Sequence, residues 1–542
     1  MSSASFHISQ KCTTDERQKG LLKSAGVIGA ATMVSRILGY IRDMILAHLF
    51  GAEMATDAFF VAFKIPNLLR RLLGEGSISA SFIPVFTEYL ETKGSEEIWE
   101  LAGNVLSLTV IAAILLTCAA ILFAPGIVLI LAPGFFADRA KFNLTVLLSR
   151  VLFPYIILIS VVAIAMGILN SLRHFAIPAL VPAALNIGII FGALWLSPHF
   201  KQPITGVAVG VLIGGLLQVL MEAPVLLKKG ARLMFNASIS NPGTRRIGVL
   251  MLPAALGLGI TQINIMVDTL LASFLPEGSI SYLYYSNRLL QLPLALFGIS
   301  LGTALLPTLS SLASQGKADE MMATFSFGIR TVLFITLPAS IGLIVFRIPI
   351  ISLLFQRGEF THTATIATAQ ALYAFAIGLC AFSGLKIAIP VFYARQDTAT
   401  PVRIGIIAIL LNIGLSVILM VPFKHAGLAL ATSLSALVNL VLLVRIMKRR
   451  WGIIGKGDMV AGGLKILGNS LAMGCISYIA MHRTFDLYAE AGNLFAKAVY
   501  LFSGIGIGII AYFALSYFTG SKELDFLVRH IITMNREDTF SP

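Results

Sequence analysis

Thr32–Phe50 reads TMVSRILGYIRDMILAHLF, a run apolar enough for a membrane that nonetheless carries Arg36, Arg42 and Asp43. About 20 predominantly apolar residues suffice to cross hydrocarbon as a helix. A cation placed there costs at least about 2.5–3.5 kcal/mol, so such residues face a bundle interior or a water-filled cavity. The same conflict recurs at Lys64, Arg70, Arg71, Arg288 and Lys386. A chain that must hide so many cations from lipid is expected to enclose a shared cationic cavity. Such a cavity suits an anionic cargo.

Composition extends this reading to the whole chain. Of 542 residues, 57% are hydrophobic and only 12% are charged, with a mean hydropathy of +0.88. Soluble proteins carry about 25% charge. The expected class is an all-α polytopic membrane protein. Helical spans are predicted near 25–49, 56–88, 101–131, 144–171, 178–198, 204–227, 246–275, 281–314, 324–347, 366–393, 401–421, 425–446, 460–481 and 494–518. That makes about fourteen, of which the second and eighth are long and polar enough to be bent or broken. The apolar run after Lys23 superficially resembles a signal peptide. Arg36 and Arg42 interrupt it and no A-x-A site ends it, so it reads as a retained first helix.

The net charge of +14 is not a nucleic-acid signal, because no basic-aromatic module accompanies it. Much of it lies in short loops and tails: Lys228, Lys229, Arg232, Arg245 and Arg246 after the sixth span, and Arg445, Lys448, Arg449, Arg450 and Lys456 after the twelfth. The opposite loops carry few cations. The positive-inside rule puts both termini in the cytoplasm. Cys12, Cys118, Cys380 and Cys475 have neither metal nor disulfide spacing, and read as small apolar core residues. No histidine pair has metal spacing, and no phosphate-binding G-x-x-x-x-G-K-[ST] loop appears. Gly206, Gly210 and Gly214 repeat every four residues, a pattern that predicts close helix packing.

The chain also repeats itself at an offset of about 225 residues. DMILAHLFG from Asp43 lies over DTLLASFLP from Asp268. RHFAIPALVPAALNIG, ending at Gly188, matches RQDTATPVRIGIIAILLNIG, ending at Gly414. TGVAVGVLIGGLLQV from Thr205 resembles AGLALATSLSALVNL from Ala426. Six spans separate the copies, so both enter the membrane in the same sense. Two six-helix lobes related by a pseudo-twofold axis along the membrane normal are expected, with the last two helices outside the repeat. The expected divisions are a cytoplasmic tail over 1–24, an N-lobe over 25–230, a C-lobe over 231–450, two extra helices over 451–520, and a cytoplasmic tail over 521–542.

Several polar residues in these spans are candidates for function. On the first helix Arg36 and Asp43 share a face, and Arg42 points elsewhere unless the helix bends near Gly39. Asp43 is a candidate ion-pair partner for an arginine. On the second, Lys64, Asn67 and Arg71 form a stripe, Glu75 lies one turn beyond Arg71, and Pro66 permits a kink. Arg70 and Arg71 have an alternative as a snorkelling pair near a helix end. Arg288 is the repeat counterpart, within a residue, of Lys64. Cations offered by both lobes suit a pyrophosphate, which arginine grips in bidentate fashion. Lys386, four residues before Pro390, reads as a gating or loop-capping contact.

The stretches SRILGYIRD, ATDAFFVAFKIPNLLRRLLGEG, YYSNRLLQLP and FYARQDTATPV closely resemble the MurJ (MviN) family of bacterial lipid II flippases. The likeness runs from about Leu21 to Arg450, and more loosely beyond. It implies the multidrug/oligosaccharidyl-lipid/polysaccharide exporter fold with alternating access. It implies that Arg36, Arg42 and Arg288 form a cationic triad, with Asp43 beside it, and that Asp57 and Arg70 belong to the functional set. Asn287 departs from the family pattern, where an aspartate is frequent. The last two helices are implied to form a groove for a polyprenyl tail.

The expected function is translocation of the undecaprenyl-pyrophosphate-linked peptidoglycan precursor, lipid II, from the cytoplasmic to the periplasmic leaflet of the inner membrane. Substrate contacts are expected from Arg36, Arg42, Arg288, Arg70, Lys64 and Asn67, and gating or ion-pair contacts from Asp43, Asp57, Glu75 and Lys386. The expected partners are lipid II and membrane lipid, with no nucleic acid, no metal, no cofactor, no covalent catalysis and a monomeric working unit. The alternatives are a flippase for another polyprenyl-pyrophosphate-linked oligosaccharide, or a drug/cation antiporter of the same fold. An antiporter would be expected to have an acidic cavity.

Overall fold

A computed structural model describes residues 14–72, 78–231, 236–238, 240–452, 458–483 and 494–525. Every regular element among them is helical: α1 (Thr14–Phe50), α2 (Met54–Leu72), α3 (Ile78–Thr92), α4 (Ser95–Leu122), α5 (Ala124–Leu131), α6 (Arg139–Leu152), α7 (Tyr155–Ser171), α8 (Ala176–Phe191), α9 (Ile204–Lys228), α10 (Pro242–Ala272), α11 (Ser279–Pro293), α12 (Ser300–Ser314), α13 (Ala318–Val345), α14 (Arg347–Phe355), α15 (His362–Ala394), α16 (Ala399–Trp451), α17 (Asp458–Arg483) and α18 (Leu494–Phe518). Ten helical runs among the described residues are long and apolar enough to cross a membrane. The predicted first, second and seventh spans are helical but are not among those ten.

The chain divides into two compact units. Unit 1 comprises residues 1–46, 58–130 and 136–263. Its core joins Phe82, Phe86, Trp99, Ile164, Ile168 and Leu226, from α3, α4, α7 and α9. Within the long predicted second span the structure describes α2 up to Leu72 and α3 from Ile78; residues 73–77 between them lie outside the described residues. The glycine repeat on α9 lies against α8. A Cβ on Gly210 would sit 2.6 Å from the Gly188 carbonyl oxygen, and one on Gly214 would sit 2.9 Å from Leu185 Cα. In lipid no water is expelled when helices meet, so such backbone approach provides the packing. Gly210→Leu is expected to lower the thermal unfolding temperature of the purified protein. An overpacked helix contact costs about 1–3 kcal/mol, and an unchanged melting curve would contradict the seam.

Unit 2 comprises residues 47–57, 131–135 and 264–542. The predicted eighth span is interrupted: a π-helical segment, Leu294–Ile299, separates α11 from α12. The predicted eleventh and twelfth spans both lie in the 53-residue α16, whose backbone leaves the helix at Lys424, with φ 50° and ψ −132°. Asn412 and Thr432 hydrogen-bond across the break at 3.2 Å. Twenty residues of straight helix would separate them by about 30 Å, so α16 is a hairpin. The last two helices pack on α13, where Phe334 meets Ile466, Met473 and Tyr512, and the Tyr512 hydroxyl donates to the Phe334 carbonyl at 2.7 Å.

The outer faces are apolar, with Leu122, Ile130, Val421, Ile510 and Phe518 all exposed, which suits lipid as the surrounding solvent. The cysteines correct one expectation. Cys118 and Cys475 are exposed and only Cys380 is partly covered, because an apolar residue on a membrane helix can as readily face lipid as core. Cys12 lies outside the described residues.

Candidate functional site

In unit 1 the charged residues of α1 meet α8. Helix α1 runs continuously through Gly39 to Phe50. The long Arg42 guanidinium reaches its own neighbour, Asp43. Its Nε and Nη2 donate to Asp43 Oδ1 at 2.9 and 2.6 Å, and Nη1 donates to Asn186 Oδ1 at 3.0 Å. Asn186 in turn donates to the Ser35 carbonyl at 3.1 Å. Asp43 is fully buried and the Arg42 side chain is 11% exposed, so the guanidinium is fixed by partners on two helices. Arg36 is half-buried one and a half turns earlier, with no hydrogen bond or ion pair among the described residues.

On α2, Lys64, Asn67, Arg70 and Arg71 are all half-buried. Arg70 Nε donates to Asn67 Oδ1 at 3.1 Å, a contact one helical turn apart. Pro66 lies within the helix. Glu75 lies outside the described residues.

Unit 2 holds the repeat-related counterpart of the α1–α8 cluster. With its amide oriented to satisfy its neighbours, Asn412 donates to Asp268 Oδ1 at 3.2 Å and Asn264 Oδ1 at 2.9 Å, and accepts from Thr432 Oγ1 at 3.2 Å. Asp268 matches Asp43, and Asn412 matches Asn186 in the shared LNIG, so each unit places an aspartate on one helix near an asparagine on another. The sequence reading missed both asparagines. Their signal was present in the paired LNIG segments, but nothing in one chain says that residues 144 apart, as Arg42 and Asn186 are, will touch. Arg288 is half-buried on α11. Lys386 is exposed midway along α15.

The turn between α1 and α2 belongs to unit 2. Asp57, 1% exposed, accepts from the backbone N–H of Gly278 at 2.9 Å and of Ser281 at 2.9 Å, and from Ser281 Oγ at 2.7 Å. These N–H groups open α11, where helix termini leave donors free and the helix dipole favours an anion. Gly278 has φ 84°, and a Cβ there would overlap the Ala52 carbonyl oxygen. The Met54 N–H donates to Glu277 Oε1, and the Glu359 N–H donates to the His48 carbonyl at 3.0 Å.

At the start of α16, Asp397 accepts from Thr400 N at 2.9 Å and Thr400 Oγ1 at 2.6 Å, and from Arg450 Nη1 at 2.7 Å. The Thr400 hydrogen bonds, helped by Arg450, hold its carboxyl below the usual carboxylate range. A depressed folded-state value means that the stabilisation is complete above the unfolded-state value and is lost as pH falls through the folded-state one. Asp397→Ala is expected to cost about 1 kcal/mol, as for loss of a helix cap, at neutral pH. The difference from wild type should shrink in acid, and thermal unfolding at neutral and acidic pH checks both.

The sequence profile of the family described as lipid II flippase MurJ matches residues 46–498. The probable lipid II flippase MurJ of Vibrio cholerae serotype O1 is 37% identical, over 94% of this chain and 98% of its own length. The lipid II flippase MurJ of Burkholderia cenocepacia is 35% identical, over 79% of this chain and 84% of its own length. Among solved structures, lipid II flippase MurJ in an inward closed conformation superposes with a TM-score of 0.75 at 30% identity, covering 91% of this chain and 98% of that one. An inward-facing multidrug resistance MATE family transporter of the MOP superfamily shares the fold at a TM-score of 0.62 and 14% identity, over 78% of this chain and 98% of its own. With a family match over most of its length and relatives aligned nearly end to end, the chain belongs to the MurJ family of lipid II flippases.

Proposed function

We propose that the chain carries lipid II from the cytoplasmic to the periplasmic leaflet by alternating access, gripping the pyrophosphate with Arg36, Arg42 and Arg288. It is a multi-pass inner-membrane transporter and not an enzyme; its substrate is lipid II and it lies in membrane lipid. The observation that carries the binding role is the fixation of Arg42. A guanidinium held by Asp43 and Asn186 is preorganised, and so loses little freedom when an anion arrives. Lys64, Asn67 and Arg70 extend the cationic surface along α2, and Glu75 and Lys386 act in gating. The N-lobe over 25–230 and the C-lobe over 231–450 rock against each other. The 451–520 helices hold the polyprenyl tail while the head crosses. Both termini are cytoplasmic, and the monomer is the working unit, with no nucleic-acid partner.

Asp57 is the gating residue in this scheme. Its three hydrogen bonds to the start of α11 hold the α1–α2 turn, and opening toward the periplasm releases them. Transport requires that the two states bind substrate unequally, so the grip must weaken as the turn lets go. The deciding experiment measures lipid II accessible at the outer leaflet in cells with and without the protein. Equal exposure in both would overturn the reading.

A further inference from the structure

We infer that unit 1 carries a second binding site, a cavity at Glu222 that accepts an amphiphile with an ammonium group on an apolar body. Glu222 lies on α9, six residues before its end at Lys228, and is 0% exposed. Neither carboxyl oxygen has a hydrogen-bond partner among the described residues. It lines a cavity of about 440 Å³ whose other walls are apolar, including Leu106, Val161, Ile164, Ile168 and Leu226. Leu227 at the rim is 70% exposed, so the cavity reaches the outer face of α9.

Both protonation states of Glu222 leave a need. The carboxylate lacks a donor or counter-charge, and burying it alone is strongly unfavourable. The acid lacks an acceptor for its O–H. The occupant therefore supplies the partner. Water answers this poorly, since a buried water needs two to four polar contacts and Glu222 is the one polar side chain among the described residues lining this cavity. A hard metal ion needs six or more oxygens. An anion is repelled. An N–H-bearing cation with an apolar body satisfies the carboxyl and the walls together, and the volume lies within the roughly 300–1,000 Å³ of small-molecule sites. Such a group could come from a lipid headgroup with a primary ammonium or from a free amphiphilic amine.

The test uses the full chain in nanodiscs of phosphatidylcholine and phosphatidylglycerol, neither of which carries an N–H cation. A dansyl-labelled alkylamine is titrated while its emission is followed. Saturable binding with a blue shift is expected. Glu222→Gln, or an alcohol in place of the probe's amine, should weaken it about tenfold or more. Unsaturable binding, equal affinity of the alcohol probe, or unchanged affinity of a folded Glu222→Gln protein would overturn the proposal. The alcohol comparison decides on the wild-type protein alone if the variant does not fold. Repeating the titration in phosphatidylethanolamine nanodiscs identifies the source: competition assigns the site to the lipid headgroup, and unaltered affinity assigns it to a free amine.

Discussion

Alanine at Arg42 is expected to abolish lipid II translocation. Two effects combine. The proposed substrate site loses a fixed guanidinium, and buried Asp43 loses its contact with Arg42; breaking a buried ion pair costs about 3–5 kcal/mol. The second effect alone could deplete the protein, so the informative variant is Arg42→Gln with Asp43→Asn, which keeps size and hydrogen bonding without the pair. It should accumulate in the membrane at wild-type levels and still expose no lipid II at the outer leaflet. Arg42→Lys retains charge but loses the planar fork. Losing one charge-assisted hydrogen bond, about 1.5–3 kcal/mol, predicts roughly ten- to hundredfold weaker binding. Arg36→Ala and Arg288→Ala are expected to be inactive as well. Normal wall growth with the double variant would remove Arg42 from the substrate site.

A disulfide between cysteines placed at Ala52 and Glu277, in a background lacking Cys12, Cys118, Cys380 and Cys475, is expected to stop transport, and reductant should restore it. The Met54 contact to Glu277 and the close passage of Gly278 beside Ala52 bring the two segments together in this structure. In the proposed cycle the α1–α2 turn must let go of α11 once per molecule carried. A covalent link makes that impossible, yet leaves an inward-open form that still binds lipid II. Full transport by completely cross-linked protein would rule out rocking and favour a fixed groove.

How much of this was legible in sequence depended on the range of the interaction. Hydropathy located the helices, and it located the break at Lys424 because a polar residue falls between two apolar runs. The polarity of the eighth span foretold its interruption, though not that a π segment would make it, since such a segment has no composition of its own. Periodicity put Arg36 and Asp43 on one face, but it could not foresee that Arg42 would fold back on Asp43, since side-chain reach is not a property of helical angle. Asn186 and Asn412 escaped because asparagine in an apolar run looks like tolerated noise until a distant partner appears. Glu222 escaped for a related reason: a lone carboxyl in the sixth span is conspicuous only when its surroundings prove to be empty of donors.

The glycine seam between α8 and α9 has a mechanical consequence. Where backbone lies on backbone, no flexible side chain remains to absorb sliding, so the pair can be displaced only as a single stiff strut. Asn186 rides on that strut and grasps Arg42 on α1. Motion of the strut is thereby transmitted to the guanidinium without slack, and the compliance needed for a cycle must reside elsewhere, in joints such as the wide-turn segment at Leu294–Ile299.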